Sequence, residues 1–385
     1  MKKRMGLLTS GALILGCICG LIFREKCTSI AFLGDIYIKI LKIMITPLIF
    51  SSISCTVYKT QRDGTVIKAI VLFTVMFTAT FLLTSLVVIL ADPASGFVFR
   101  EEGWNGTVSD LGIRGILLNL LPKSFSDLFI NPKVFFVIAV SWVFGRVSSH
   151  FGADRIFEHI GRFRDLLFKV LEYFMYLTPL ATFALMANTT YRYGSIILDV
   201  GIRYILTAWA CGIIALVIIM IVPLNFIAGI GFREYVRKVS KIWIMTISTC
   251  SSAATLPYTV KVCKEEFGIP ESTTDIVVPL GCTIHMCGGA VSFALLGLFC
   301  LRLYNVPFDL GTWLLMLVSS LLINMAAPGI PNGGVVIGAT YLQLLGIPLG
   351  FIGFYSGIYK LLDMCYTTLN VTGDISANII LNKLQ

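Results

Sequence analysis

Asp363, Tyr366, Thr367, Asn370 and Asp374 recur at spacings of three and four within the otherwise apolar run Gly350–Leu384. On a helix these spacings place them on one stripe, with two carboxylates in line. In a bilayer a carboxylate costs about 2.5–3.5 kcal/mol on insertion scales. Two on one stripe therefore call for a water-filled cavity, a cation or a cationic ligand, and Asp363 and Asp374 are read as facing cations or an ammonium group. The plainer alternative is a pair satisfied by structural partners, with Lys360, three residues from Asp363, as the nearest neutralising group.

Three further stretches put polar or flexible groups amid apolar sequence. Cys250–Ser251–Ser252–Ala253–Ala254–Thr255–Leu256–Pro257 ends a short apolar segment that begins at Ile242. Ser251 and Ser252 supply hydroxyls there, and the N–H groups that open the next element favour an anion such as a carboxylate. An ordinary serine turn explains the same residues. Gly281–Cys282–Thr283–Ile284–His285–Met286–Cys287–Gly288–Gly289 lies in the middle of a long apolar run, Asp275–Leu303. Glycines at that depth predict an unwound stretch whose carbonyls bind a cation. His285 is read first as a packed, hydrogen-bonded residue and second as a proton relay or ligand, and Met286 as packing with its sulfur near a site. Finally, Ala327–Pro328–Gly329–Ile330–Pro331–Asn332–Gly333–Gly334 separates two apolar half-segments, Thr312–Ala326 and Val335–Leu345. Glycine backbone can close over a ligand without side-chain interference, which suits a gate as well as a reverse turn.

These stretches need elements to position them. Of 385 residues, 57% are hydrophobic and 13% charged, and the mean hydropathy is +0.87. A soluble chain carries about 25% charged residues, so lipid must cover much of this one. A span needs roughly 20 apolar residues, and candidates run Gly6–Phe23, Leu33–Tyr58, Val66–Ala91, Val134–Val147, Leu166–Ala187 and Ile196–Ile230. The second is amphipathic, the fourth is short, and Thr178–Pro179 predicts a kink in the fifth. The formal charge of +9 is read as membrane orientation, not nucleic-acid binding. Lys59 and Arg62, then Arg146, Arg155, Arg162 and Arg164, then Arg233, Arg237, Lys238 and Lys241 mark inside loops. Asp92, Glu101, Glu102 and Asp110 mark an outside loop. The alternation follows the positive-inside rule and puts the N-terminus in the cytoplasm. The basic start, Met1–Lys2–Lys3–Arg4, is read as leading an uncleaved first helix. The 11 cysteines form no CxxC pair and read as small apolar residues.

Irregular backbone at membrane depth is tolerated only inside protein or beside a cavity. Two interrupted segments in one half of a chain are a pointer to a transporter's binding site. At this point the residues resemble the glutamate transporter family, the dicarboxylate/amino-acid:cation symporters. The likeness rests on Leu362–Asp363–Met364 and Asn370–Val371–Thr372–Gly373–Asp374, on Ile45–Thr46–Pro47–Leu48–Ile49–Phe50–Ser51–Ser52, on Ser251–Pro257, on Val278–Pro279–Leu280–Gly281, and on Gly329–Ile330–Pro331–Asn332–Gly333–Gly334. It implies an all-α membrane protein with eight transmembrane helices, two re-entrant helical hairpins and a homotrimer. Residues 1–240 would hold helices 1–6 with the trimerisation scaffold, and 241–385 the transport core of hairpin 1, helix 7, hairpin 2 and helix 8. Ser251 and Ser252 would hold the substrate's main carboxylate and Asp363 its ammonium. Thr367, Asn370, Tyr366, Ile330 and Gly334 would stand alongside. Asp374, with carbonyls near Gly281, His285 and Asn370, would bind one sodium. Met286, Thr283 and the second hairpin would serve another.

The departures bear on the cargo. The family reads Asn-Met-Asp-Gly-Thr where this chain has His285–Met286–Cys287–Gly288–Gly289, so a sodium-site carboxylate and a substrate-contacting hydroxyl are missing. Members specific for acidic amino acids carry Arg where Tyr366 stands, a residue that grips a side-chain carboxylate bidentately. A further acidic position is Tyr359 here. The expectation is therefore a non-enzymatic symporter of a neutral amino acid, coupled to sodium or protons, without cofactor, in a bacterial inner membrane. Three alternatives stand beside it. The first is a carrier of dicarboxylates or of glutamate and aspartate. The second is a passive channel. The third, an intramembrane hydrolase using Ser251 or Ser252 with His285, has no acidic partner at helical spacing from the histidine to orient it as a base.

Overall fold

In the computed structural model the described residues are 2–59, 64–99, 134–194, 196–324 and 333–384. All their regular structure is helical. The N-terminal half comprises α1 (Lys2–Phe23), α2 (Thr28–Lys59), α3 (Gly64–Ala91), α4 (Val134–His150), α5 (Asp154–Phe174) and α6 (Thr178–Tyr193). Helix α7 (Ile196–Ala215) passes through a π-helical stretch, Leu216–Ile221, into α8 (Val222–Ala228). Pro223 stands in the first turn of α8. Its missing N–H and bulky ring prevent an uninterrupted ladder, so the wider turn absorbs the defect.

The C-terminal half is built from broken pieces. Helices α9 (Phe232–Thr249) and α10 (Ser252–Glu265) form the first hairpin, and α11 (Glu271–Ile284) and α12 (Cys287–Leu303) are two halves of one long rod. Then α13 (Leu310–Asn324) and α14 (Gly333–Leu344) flank the second tip, and α15 (Gly350–Leu384) closes the chain. Residues 325–332 between α13 and α14, and with them Ile330 and Gly329, lie outside the described residues, as does the acidic stretch with Glu101, Glu102 and Asp110.

Among the described residues three helices are long and apolar enough to cross a bilayer: Gly64–Ala91, Leu198–Ala228 and Glu271–Leu303. They differ in what covers them. The first two have 39% of their most apolar window buried, the last 94%. On α3, Ile67, Val71, Val75, Leu82 and Leu86 are exposed, a surface that lipid must cover. The rod α11–α12 instead runs through the middle, packed on α3, α7 and α15. Helix α15 is wrapped by α6, α9, α11 and α12. The core thus surrounds the helix that carries the two carboxylates.

The observed boundaries correct two expectations. Leu166–Ala187 is not one kinked span: α5 ends at Phe174, a short 3-10 turn covers Met175–Leu177, and Pro179 opens α6 from its first turn. Proline is tolerated there because that N–H has no intrahelical partner. Likewise Phe232–Lys241, read as a basic loop, is the first half of α9, and the division at residue 240 falls within that helix. By contrast, the last helix has the expected bounds.

Candidate functional site

The first hairpin turns at two residues. Cys250 ends α9 in the left-handed region (φ 48°, ψ 45°). Ser251 is extended (φ −149°), and its Oγ accepts from the Ala254 N–H at 3.3 Å as the N-cap of α10. Ser252 follows on the wall of a pocket, beside Cys250. The opposite wall comes from α15, where Asp363, Tyr366, Thr367 and Asn370 line the same space. Met286, at the break in the rod, and Gly334, at the start of α14, line it as well. The pocket therefore gathers Ser252, Gly334, Asp363, Tyr366, Thr367 and Asn370, residues up to 118 positions apart (370 − 252). Ser251 adjoins it as the cap.

Asp363 is buried at 6% exposure, and the Thr367 hydroxyl donates to its Oδ1 at 3.1 Å. Asp363 is the single charged side chain among the described lining residues. Met325–Asn332, the tip between α13 and α14, contains no charged residue in its sequence. Lys360 is half-buried and lies beside the Cys250 thiol.

A second polar cluster sits below. At His285 and Met286 the rod leaves helical conformation (φ −107° and −115°, ψ 87° and 80°). That break swings the His285 imidazole onto α15. Its Nδ1 hydrogen-bonds Asp374 Oδ1 at 3.0 Å and its Nε2 the Cys287 thiol at 3.1 Å, with the donor in each pair set by the imidazole tautomer. Phe73 of α3 stacks on the imidazole, centroids 4.4 Å apart and planes within 10°. Both side chains of the pair are sealed, at 0% and 2% exposure. Gly281 makes the fit possible: a Cβ there would collide with the Asp374 carboxyl group, its Cγ 2.8 Å away. Asn370 links the clusters, its Oδ1 accepting from the Gly288 N–H at 2.7 Å. Thr283 stands apart, exposed, with its hydroxyl donating to Leu280 O at 2.8 Å.

A carboxylate beside a helix break is a place where a small cation is held by oxygens. Asp374 fits that description by position, but its Oδ1 is already paired with the His285 imidazole. His285 Nδ1 and Cys287 Sγ replace oxygen donors with groups that suit sodium poorly, since sodium is a hard cation that favours oxygen ligands.

Residues 5–384 match the sodium:dicarboxylate symporter family. The chain belongs to that family. It is a transporter of the dicarboxylate/amino-acid:cation type and an integral membrane protein. A C4-dicarboxylate transport protein of Solibacter usitatus is 24% identical over 389 residues, covering 97% of this chain and 90% of the relative. A C4-dicarboxylate transport protein of Pseudomonas syringae pv. tomato is 24% identical, covering 97% and 84%. A proton/glutamate-aspartate symporter of Bacillus subtilis is 22% identical, covering 100% and 96%.

Within this symporter fold the pocket also includes Tyr359 and residues that sequence reasoning passed over: Cys250, Ser292, Phe293, Asn324 and Ile337. One of them carried a signal. Asn324 is the single amide in the apolar run Leu310–Asn324, immediately before the interrupted tip. Phe73, which covers His285, carried none, because a phenylalanine on an apolar span looks like any other.

Proposed function

We propose that this symporter carries a small neutral amino acid together with a cation. The observation that carries the reading is the pocket's charge: one carboxylate, Asp363, and no cationic side chain among its described lining residues. An ammonium group on the cargo would complement that negative charge. A second negative charge on the cargo would meet Tyr366 and Tyr359, whose neutral hydroxyls do not replace an Arg fork. The cargo's carboxylate would lie at the first tip, where the N-terminus of α10 and Ser252 offer donors. For the coupling ion, sodium or proton, the His285–Asp374 contact speaks against sodium at Asp374.

A second reading is a carrier of dicarboxylates or acidic amino acids. The names of the relatives favour it, and Lys360, one turn from Asp363, is the cation that would serve it. Uptake into proteoliposomes decides between them. Labelled alanine, serine, glutamate and succinate are supplied with sodium or with choline in its place. Neutral amino-acid uptake supports the first reading, and uptake confined to glutamate or succinate overturns it. We further propose a homotrimer in a bacterial inner membrane, with the N-terminus cytoplasmic. Cross-linking in the membrane tests the first point and accessibility labelling of the N-terminus the last.

A further inference from the structure

We propose that Asn324 is a specificity-determining residue of the pocket, whose Oδ1 accepts a hydrogen bond from an N–H or O–H donor on the cargo. This rests on the amino-acid reading above and extends it to a residue on the second hairpin. Asn324 is the last residue of α13 and is buried at 2% exposure. Its Nδ2 donates to the Ile284 carbonyl at 3.4 Å, at the end of α11 where the rod breaks. A backbone carbonyl can only accept, so this bond fixes which way the amide faces. Oδ1 is left on the other side, buried and without a hydrogen-bond partner among the described residues. The side chain lines the same pocket as Asp363.

A buried acceptor that goes unpaired is costly, so a group that arrives with the cargo is the natural donor. The space it uses is held open by Gly289. A Cβ on Gly289 would collide with Asn324 Oδ1 itself, with Cγ 3.4 Å away. Gly289 is the position where the resemblance leads one to expect a threonine hydroxyl, so the amide of Asn324 stands where that polar group would have been. Asp363 and Asn324 together make the pocket rich in acceptors. That composition suits a cargo bearing an ammonium group, or a side-chain hydroxyl or amide as well, and opposes a fully ionised dicarboxylate, which has no donor to give.

The test is a cycle of two cargo changes and two protein changes, read as competition for uptake in proteoliposomes. L-Alanine against propionate removes the ammonium, and L-serine against L-alanine adds a hydroxyl. Asn324→Leu keeps the size of the side chain and removes the amide. Gly289→Ala disturbs the same Oδ1 from the neighbouring helix. We expect Asn324→Leu to raise KM about tenfold for the cargo that carries the donor, the scale of one hydrogen bond to a charged group. Little change is expected for the cargo that lacks it, and Gly289→Ala should give the same pattern. The pair that shows selectivity tells whether the donor is the ammonium or the hydroxyl. An equal loss for every cargo, or none, overturns the proposal and leaves Asn324 as a structural tie to Ile284. If Asn324→Leu does not fold, the outcome with Gly289→Ala and Asn324→Ser decides alone. If the wild-type carrier takes up no amino acid, the reading of the cargo fails first and this inference with it; additive losses in a working amino-acid carrier sink this inference only.

Discussion

Asp363 and Asp374 stand on one face of one helix, 11 residues apart, which is about 16 Å at the helical rise. Both are buried, yet their surroundings are opposite in kind. Asp363 opens onto a pocket between the first hairpin tip and the facing ends of α13 and α14, and shares its wall with Thr367. Asp374 is closed in by His285, with Phe73 stacked over the imidazole. In the proposed reading the first carboxylate meets a positive group that arrives with the cargo, whereas the second is held against the imidazole of the broken rod. A stripe of identical residues thus serves two purposes because the helices packed against it differ. The first tip and the ends of α13 and α14 leave room at one end, and the α11–α12 break fills the other.

The largest effect that tests this contrast is expected at the open end. Asp363→Asn should lower kcat/KM for a neutral amino acid at least about a hundredfold, because a site built around a hydrogen-bonded charge rejects mismatches strongly. Initial rates of uptake measure it. A variant that instead gains succinate uptake moves the balance to the dicarboxylate reading. At the closed end the expected signature is a change of ion. Wild-type uptake should stay within about twofold when choline replaces sodium, since the Asp374 oxygen is already paired with the imidazole. His285→Asn should then bring a sodium dependence of about tenfold, as removing the imidazole returns that oxygen to a cation. A wild-type carrier that stops without sodium breaks the contrast between the two carboxylates.

Much of this arrangement was legible in the sequence, for a physical reason. The spacing of Asp363, Thr367, Asn370 and Asp374 is local, so a helix places them on one face whatever surrounds it. The break at His285–Met286 was announced by Gly281, Gly288 and Gly289, and the tip at Cys250–Ser251 by its serines. Position 179 shows where local reading stops, because a proline that opens a helix and one that kinks it look alike in sequence. The basic first half of α9 looked like a loop because its charges face away from the buried Tyr235, Val239 and Ile242. The contact of His285 with Asp374 spans 89 residues. Only the packed rod reveals it, and the same holds for Asn324 on Ile284.

A smaller effect is expected where α12 crosses α15, between the two carboxylates. A Cβ on Gly288 would lie 2.5 Å from the Tyr366 Cα and 2.6 Å from its carbonyl carbon. Backbone cannot move aside as a side-chain end does, so Gly288→Ala must push the helices apart. Overpacking of this kind costs about 1–3 kcal/mol, which thermal unfolding in detergent measures. Uptake should fall with it, because the shift also stretches the Gly288–Asn370 bond that ties the two clusters. Unchanged melting and uptake would mean that the helix crossing does not hold the two ends in register.

The smallest effect is expected at the surface tie between the first hairpin and the rod. Lys264 at the end of α10 reaches Glu271 at 3.0 Å and Asp275 at 3.0 Å on α11. The hydrogen bonds it donates to Asp275 and then Glu271 raise its pKa above the usual lysine value. A raised lysine contributes at all pH below its unfolded value and loses that contribution only as pH climbs through the folded one. The tie is therefore intact at neutral pH and insensitive to acidification until the carboxylates themselves protonate. Exposed ion pairs are worth little and are screened by salt, so Lys264→Ala should change uptake by less than about twofold. A large loss would show that the first tip depends on this remote clamp for its position. The opening toward Asp363 would then be set from the membrane surface, not by the packing around α15.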